Sequence, residues 1–188
     1  MRELSLHIMD IVENGLAAGA DLIQISIEEH RKERQLIVSV KDNGRGIPED
    51  LLPKVLSPFY TTRTTRRVGL GLSLLREAAR RCEGDLRLAS KEGEGTEVVA
   101  TFRLDHIDLA PLGDMAGSLT ALIMGRPDVD FVYTHELDGK VFRMDTREVK
   151  KELGGLTIGN PKVIRRLATF IRESLAELKA GVEFEGAP

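Results

Sequence analysis

The sequence predicts an α/β fold: a mixed β-sheet covered on one face by helices, followed by a small α+β extension. Apolar residues alternate over residues 22–27 and recur over 35–41, which predicts two strands joined across the charged stretch 28–34. Two segments with apolar residues at helical spacing, 3–18 and 73–81, flank these strands. The 188 residues suffice for one domain with a smaller appendage.

The composition is that of an ordinary globular chain, and it limits the partners to be expected. Hydrophobic residues make up 41% and charged residues 30%, with a formal net charge of -3. This charge, the absence of Trp and the presence of only 2 Tyr argue against binding of nucleic acid or an anionic membrane. No apolar run could span a bilayer, no signal-peptide pattern is present, and the lone Cys82 fits a reducing compartment. We therefore expect a cytoplasmic protein.

The first helix carries two oxygen-bearing side chains on one face. Apolar residues at positions 4, 8, 11 and 12 define its buried side, and Gly19 is suited to end it. Asp10 and Asn14 are four residues apart and therefore share a face. A solvated acid–amide pair is one interpretation. A magnesium site, built from the amide oxygen and a carboxylate-held water, is the other.

A glycine-rich turn, Asp42-Asn43-Gly44-Arg45-Gly46-Ile47, follows the second strand. Asn43 tolerates a left-handed backbone, and Gly44 and Gly46 leave no Cβ to block a ligand. An ordinary hairpin corner uses the same residues. A second glycine cluster at 69–72, beyond a charged loop, favours a nucleotide site instead.

The segment between the two glycine clusters is rich in hydroxyl groups and arginine. A short helix is expected over 51–56, and residues 60–68 then lack any periodicity. That composition fits a mobile lid over phosphates, where Arg makes charge-assisted contacts, and it fits a solvated loop equally well. The cluster at 69–72 runs into the helix at 73–81, so bare N–H groups at the helix start could face an anion.

A β-hairpin and then a mixed extension complete the chain. Strands are expected at 85–90 and 96–104 around a glycine turn, and Cys82 is expected to be a packed structural thiol. The extension, residues 106–188, should contain an apolar helix within 111–125, a hairpin of 131–137 with 140–144, and helices at 146–153 and 160–179. Asn160 with Pro161 is a good start for the last helix. Its broad apolar face either packs on the core or docks a partner.

Five segments in this order resemble the motifs of the Bergerat-fold (GHKL) ATPases, which include gyrase, the heat-shock chaperone of ninety kilodaltons, histidine kinases and MutL. They are Asp10–Ala20, Asp42–Ile47, Pro58–Arg63, Gly69–Ser73 and Gly95-Thr96. Together they cover residues 3–104, which predicts an ATP-binding domain at 1–105. The stretch from Pro58 to Thr96 is most similar to the ATP-binding domain of histidine kinases. The first helix is more similar to MutL and gyrase.

The resemblance implies a role for each matched residue. Asn14 would hold Mg²⁺ against the phosphates, and Asp42 would accept a hydrogen bond from the adenine amino group with help from Thr96. Gly44 and Gly46 would let the backbone approach the nucleotide, and Gly69 and Gly71 would cradle phosphates. The remaining implied cofactor-binding residues are Ile47, Phe59, Thr62, Arg63, Leu70 and Leu72.

Two departures from the family pattern bear on activity. Where the hydrolytic members and the related serine kinases have Glu as general base, this chain has Asp10, a carboxylate one methylene shorter. The usual phosphoacceptor helices are missing, and neither His7 nor His135 has the context of an acceptor. We therefore expect a regulatory kinase that binds Mg-ATP and acts on another protein. A slow ATPase, or a nucleotide sensor whose extension docks a partner, are the alternatives, and a homodimer is left open.

Overall fold

The computed structural model describes residues 3–55 and 70–183. Its strands are β1 (Leu22–His30), β2 (Gln35–Asp42), β3 (Leu86–Lys91), β4 (Gly95–Arg103), β5 (Asp130–Leu137) and β6 (Lys140–Asp145). Its helices are α1 (Leu4–Ala17), α2 (Leu52–Val55), α3 (Leu70–Arg81), α4 (Met115–Gly125), α5 (Thr146–Glu152) and α6 (Pro161–Glu183), with a 3₁₀ turn at Glu49–Leu51.

The six strands form a single mixed sheet in the order β3-β4-β2-β1-β5-β6. Within the described ranges, β1 and β5 make the one parallel pair, and the other four pairings are antiparallel. The prediction of a mixed sheet is therefore confirmed. The C-terminal strands β5 and β6 extend the same sheet rather than forming a second one. No local sequence pattern predicts the pairing of β5 with β1. The proposed boundary at residue 105 stays a prediction.

One face of the sheet is covered by helices, as the sequence predicts. The register aligns Ile25 with Val40 and Tyr133, and Val40 with Val98, so these four buried side chains point to the same side. Helices α1, α3 and α6 contact the strands on this side, and α4 packs between α1 and α6. Lys41 belongs to the opposite, uncovered face and is exposed.

Three predicted element boundaries are wrong. β1 continues to His30, because it is paired on both sides up to Glu29, and only residues 31–34 remain for the turn. α3 begins at Leu70, which places Gly71 in its first turn. α6 continues to Glu183, beyond the predicted end at residue 179. α4 lies within the range predicted for it and begins at Met115, because the Asp114 side chain accepts a hydrogen bond from the Gly117 N–H at 2.9 Å.

The last helix packs on α4 and on strands β5 and β6 of the sheet. Val163, Leu167, Ile171 and Leu178 are buried, whereas Phe170 keeps 51% of its surface exposed. The predicted start at Asn160 is confirmed, since its side chain accepts a hydrogen bond from the Lys162 N–H at 2.9 Å.

Residues 56–69 lie outside the described residues. They include Phe59, Thr62, Arg63 and Gly69 of the implied nucleotide site, and the whole of the predicted lid at 60–68. No helix within 3–55 and 70–183 is long and apolar enough to cross a bilayer.

Candidate functional site

Asp42 is a buried carboxylate at the end of β2, on the helix-covered face of the sheet. Only 8% of its surface is exposed, and its register partners are Ile23 on β1 and Thr96 on β4. Burial raises the pKa of Asp42, and main-chain N–H groups of Gly44 and Thr96 oppose this shift. The Gly44 N–H donates to Asp42 Oδ1 at 2.9 Å.

Within the part of the chain that the structure describes, main-chain dipoles alone compensate the charge of Asp42. Among the described residues, no Lys, Arg or His contributes to the shift of its pKa or forms an ion pair with it. A carboxylate carries about four lone-pair sites, so hydrogen bonds from two N–H groups leave acceptor capacity unused. A buried acceptor in this condition fits a ligand that brings its own N–H donor.

The first helix reaches Asp42 through a glycine. A Cβ at Gly15 of α1 would lie 2.9 Å from Asp42 Cβ and 3.1 Å from Asp42 Oδ2. These distances are shorter than normal contacts, so any larger side chain would push the carboxylate or the helix away. Glycine inside a helix costs about 1 kcal/mol relative to alanine. Close approach of α1 to the carboxylate explains why it is present, and the sequence alone did not single it out.

A hydroxyl cluster fixes the turn beside Asp42. Ser90 Oγ donates to the Gly95 carbonyl at 2.8 Å and accepts from the Ile47 N–H at 2.9 Å. It also lies 2.8 Å from Thr96 Oγ1. Thr96 is thus held next to Asp42, where the resemblance placed it. Ser90 was not predicted, because a serine in a short strand carries no signal of its own.

The glycines of the turn are required by contacts within the protein. A Cβ at Gly44 would lie 2.9 Å from Ala18 Cβ. Gly46 has φ +70°, and a Cβ there would lie 2.0 Å from the Lys91 carbonyl oxygen. These contacts account for both glycines without a ligand, and their approach to a nucleotide stays a prediction.

Asn43 has a structural role that differs from the expected one. Its backbone is not among the described residues with positive φ, so the left-handed conformation that asparagine tolerates is not used here. Its side-chain oxygen instead accepts hydrogen bonds from the main-chain N–H groups of Asp21 and Leu22, and its amide donates to Asp21 Oδ1 at 2.6 Å. Asn43 thereby ties the turn to the start of β1.

Asp10 of α1 lies against the first turn of α3. A Cβ at Gly71 would be 3.3 Å from Asp10 Cβ and 3.5 Å from Asp10 Oδ2, so glycine allows the two helices to meet here. Asp10 is half-buried and Asn14 is exposed. Leu72 is buried in the core, which leaves its main chain for the implied cofactor contact, and of Leu70 the structure describes the main chain alone.

The described residues contain no group of three or more His, Cys, Asp or Glu that could hold a metal ion by itself. A magnesium ion held by Asn14 stays a prediction.

Comparison with known proteins identifies the family. Residues 2–106 match the family described as histidine kinase-, DNA gyrase B-, and HSP90-like ATPase. The chain belongs to this family. The signal transduction histidine-protein kinase AfsQ2 of Streptomyces coelicolor is 34% identical over 120 residues, which cover 62% of this chain and 22% of the kinase. The sensor histidine kinase WalK of Bacillus subtilis is 37% identical over 100 residues, which cover 50% of this chain and 16% of the kinase.

A solved structure extends the likeness beyond the family match. The crystal structure of the N-terminal domain of a DNA repair protein superposes with a TM-score of 0.55 at 16% identity, covering 77% of this chain and 53% of that chain. This likeness shows the fold alone. Its share of this chain exceeds the 62% covered by AfsQ2, so it takes in residues beyond that alignment.

Proposed function

We propose that the protein binds Mg-ATP and that Asp42 reads the adenine base. The observation that carries this proposal is the buried Asp42 carboxylate, which has no cationic partner within residues 3–55 and 70–183 and keeps unused acceptor capacity there. The exocyclic amine of adenine is a donor that such an acceptor pairs with. Guanine presents an acceptor at the same place and would leave the carboxylate unpaired, which a buried polar site tolerates poorly.

The phosphate end of the ligand belongs near α1 and α3. Asn14 offers an exposed amide oxygen for Mg²⁺, and the first turn of α3 offers main-chain N–H groups to an anion. A bound magnesium ion would neutralise charge on the phosphate oxygens. Asp10, half-buried against Gly71, would accept the proton of an attacking hydroxyl group or water.

We further propose that the protein is a cytoplasmic regulatory kinase whose acceptor is another protein. Its matched relatives are described as histidine kinases, and it spans about a fifth of their length. Two of its own histidines are poor acceptors. His135 is 1% exposed on β5, with one ring nitrogen 3.0 Å from the Tyr133 hydroxyl and the other 2.7 Å from Glu29 Oε1. His7 is 4% exposed in α1.

A slow ATPase is the second candidate, and Asp10 is the observation that favours it. A carboxylate at this position can activate water as readily as a hydroxyl group. Incubation with γ-labelled ATP separates the candidates: label appearing on a protein of the native lysate supports the kinase, and release of labelled phosphate alone supports the ATPase. A sensor would do neither.

Thermal unfolding with and without nucleotide tests the adenine site. ATP with Mg²⁺ at about 100 times its dissociation constant should stabilise the wild type by about 2.7 kcal/mol, a rise in Tm of roughly 5–11 °C for a chain of this size. Asp42→Asn should lose most of this rise, because its amide no longer serves purely as an acceptor. Asp21→Asn makes the same chemical change at a carboxylate that accepts a hydrogen bond from the Asn43 amide, and it should keep the response.

Two results would contradict the adenine assignment. One is a full ATP response in Asp42→Asn. The other is an equal response of the wild type to GTP and ATP at matched concentrations.

A further inference from the structure

A groove lies between α5, α6 and the end of β6, outside the segment that matches the ATPase family. Its volume is about 890 Å³. Met144 at the end of β6 lines it, together with the apolar residues Val149, Leu153, Leu156, Val163, Leu167 and Phe170. This volume falls within the range of sites that hold several buried side chains or a small ligand.

Two large apolar side chains in this groove face solvent. Leu156 is 57% exposed and Phe170 is 51% exposed. Phe170 is nevertheless held in place, because its ring packs edge-on against Phe142 of β6 with centroids 5.8 Å apart. A rigid, exposed aromatic ring beside an exposed leucine is the composition of a binding hot spot.

The rim of the groove carries three cations without an acidic partner. Lys151 of α5 and Lys162 and Arg166 of α6 line the groove, and none of them forms an ion pair within residues 3–55 and 70–183. Arg143, the fourth cation, is bound to Asp145 at 2.7 Å and to Glu148 at 3.0 Å. Glu152 is the one lining carboxylate outside these pairs.

Lys162, one of the two rim cations of α6, lies where a helix disfavours a positive charge. The first turn of α6 contains this lysine and no acidic residue, although free N–H groups and the helix dipole make this end positive. Lys162 and Arg166 are also four residues apart, so they repel one another on one face. Such a departure from local preference, with no compensation within the described chain, is typical of a surface kept for a partner.

We propose that this groove binds an acidic amphipathic helix of another protein. The apolar side chains of that helix would cover Leu156 and Phe170, and its flanking carboxylates would pair with Lys151, Lys162 and Arg166. The rim of α6 from Lys162 to Phe170 is about 12 Å long, which fits two to three turns of a helix. Two helices with an apolar floor between them form the usual receptor for such a segment.

The floor of the groove favours a protein over a nucleic acid. Phosphate recognition needs no apolar surface of this kind, and the chain carries a net charge of -3. The inference rests on the proposed function only in that a kinase acting on another protein needs a docking site. Binding at the groove requires neither ATP nor Asp42, so each proposal can fail alone.

Fluorescence anisotropy with designed peptides tests the groove, using nucleotide-free protein. The probe is a labelled helical peptide of about 14 residues, with leucines at i, i+3, i+4 and i+7 and glutamates beside them. Two matched peptides carry glutamine or lysine in place of glutamate. The glutamate peptide should bind at least ~10-fold more tightly than the glutamine peptide, and added salt should reduce the difference. The lysine peptide should bind most weakly.

Variants of the rim and floor locate the binding. Lys162→Glu with Arg166→Glu should invert the preference towards the lysine peptide, and Leu156→Asp should weaken all three. Arg165→Glu is the control: it makes the charge change of one rim substitution on α6, at a residue outside the groove lining, and is compared with Lys162→Glu and Arg166→Glu made singly. The rim variants should also melt slightly higher than the wild type, because glutamate suits the start of a helix, and this melting measurement verifies that they fold.

Three outcomes would overturn the proposal: no binding of the glutamate peptide at about 1 mM, equal affinity for the glutamate and glutamine peptides, or an unchanged affinity in Leu156→Asp. Tighter binding of an RNA oligonucleotide than of any peptide would assign the surface to nucleic acid. That result would also reject the proposal. A failure of the Asp42 nucleotide test leaves these measurements unaffected.

Discussion

Two buried carboxylates end two strands of the same sheet, and their surroundings are opposite. Asp145, at the end of β6, is 3% exposed and accepts hydrogen bonds from Arg147 Nε at 2.9 Å, Arg147 Nη2 at 2.7 Å and Arg143 Nη2 at 2.7 Å. Hydrogen bonds from Arg147, above all, lower the pKa of Asp145 to about 2. Asp42, at the end of β2, is 8% exposed, and burial raises its pKa.

The difference separates a structural acid from one available to a ligand. Asp145 has its charge compensated and also caps α5, accepting from the Arg147 N–H at 3.0 Å. Among the residues that the structure describes, only main-chain dipoles compensate the charge of Asp42, a condition that costs stability until a donor binds. Judged by their exposed fraction alone, the two carboxylates would look alike. Their partners distinguish them, and three predictions test the distinction.

The largest effect should come from a third carboxylate, Asp10, which neither caps a helix nor ends a strand. Asp10→Asn should reduce turnover or phosphotransfer by about 10²–10⁴-fold, the usual contribution of a positioned acid–base group. Affinity for Mg-ATP should remain close to that of the wild type. Asn14→Ala should instead weaken Mg-ATP binding, because it removes a magnesium ligand.

Kinetic and binding measurements on both variants make the test, with Glu13→Gln on the exposed side of α1 as the control. Equal losses of affinity in the Asp10 and Asn14 variants would mean that Asp10 only orders a metal-bound water. A higher turnover rate in Asp10→Glu than in the wild type would show that Asp10 acts as a base but that its side chain is too short.

Asp145→Ala should destabilise the protein by about 3 kcal/mol, the sum of a lost helix cap and lost charge-assisted hydrogen bonds. Because the folded pKa of about 2 lies below the ordinary 3.8, this contribution is present above about pH 4 and is lost as the pH falls towards 2. Urea unfolding across this pH range measures it. A nucleotide affinity that falls with the stability would contradict the purely structural role, and Asp145→Asn, which keeps a cap, should lose less.

Asp42→Asn should change the stability in the opposite direction from Asp145→Ala, and by the smallest amount of the three substitutions. Since the folded pKa of Asp42 is raised, protonated Asp42 favours the folded state at low pH, and this advantage is lost as the pH rises through the folded pKa. At pH 7 the nucleotide-free variant should therefore exceed the wild type by about 0.5–2 kcal/mol, the range of common stabilising substitutions. The gain should vanish below about pH 4. A loss of stability at pH 7 would mean that Asp42, like Asp145, is a structural acid.

The sequence predicted most elements because each leaves a local periodicity. Alternation located β1 and β2, and helical spacing located α1 and α6. The motif around Asp42 also placed Thr96 correctly beside it, through resemblance rather than periodicity. Local patterns carry no information on which distant strands pair, so the parallel pairing of β1 with β5 was missed.

Site details were missed for a related reason. Gly15 looks like an unfavourable helix residue until Asp42 is seen 2.9 Å from its missing Cβ. Asn43 has the composition of a left-handed turn, and only its hydrogen bonds to Asp21 and Leu22 reveal its structural role. Asp145 lies between the strand predicted at 140–144 and the helix predicted at 146–153, and its role depends on the geometry of its bonds to Arg143 and Arg147, which the sequence does not show.

The parallel pairing of β1 with β5 also bears on how the chain is made. Ile23 is paired with Phe131, about a hundred residues later, so a ribosome adding 5–20 residues per second finishes β1 roughly 5–20 s before its partner. During that interval β1 has an open edge, with unpaired N–H and C=O groups that can recruit another nascent chain. The ATPase segment therefore reaches its protected form only after the C-terminal region has been synthesised, and incomplete chains should depend on chaperones.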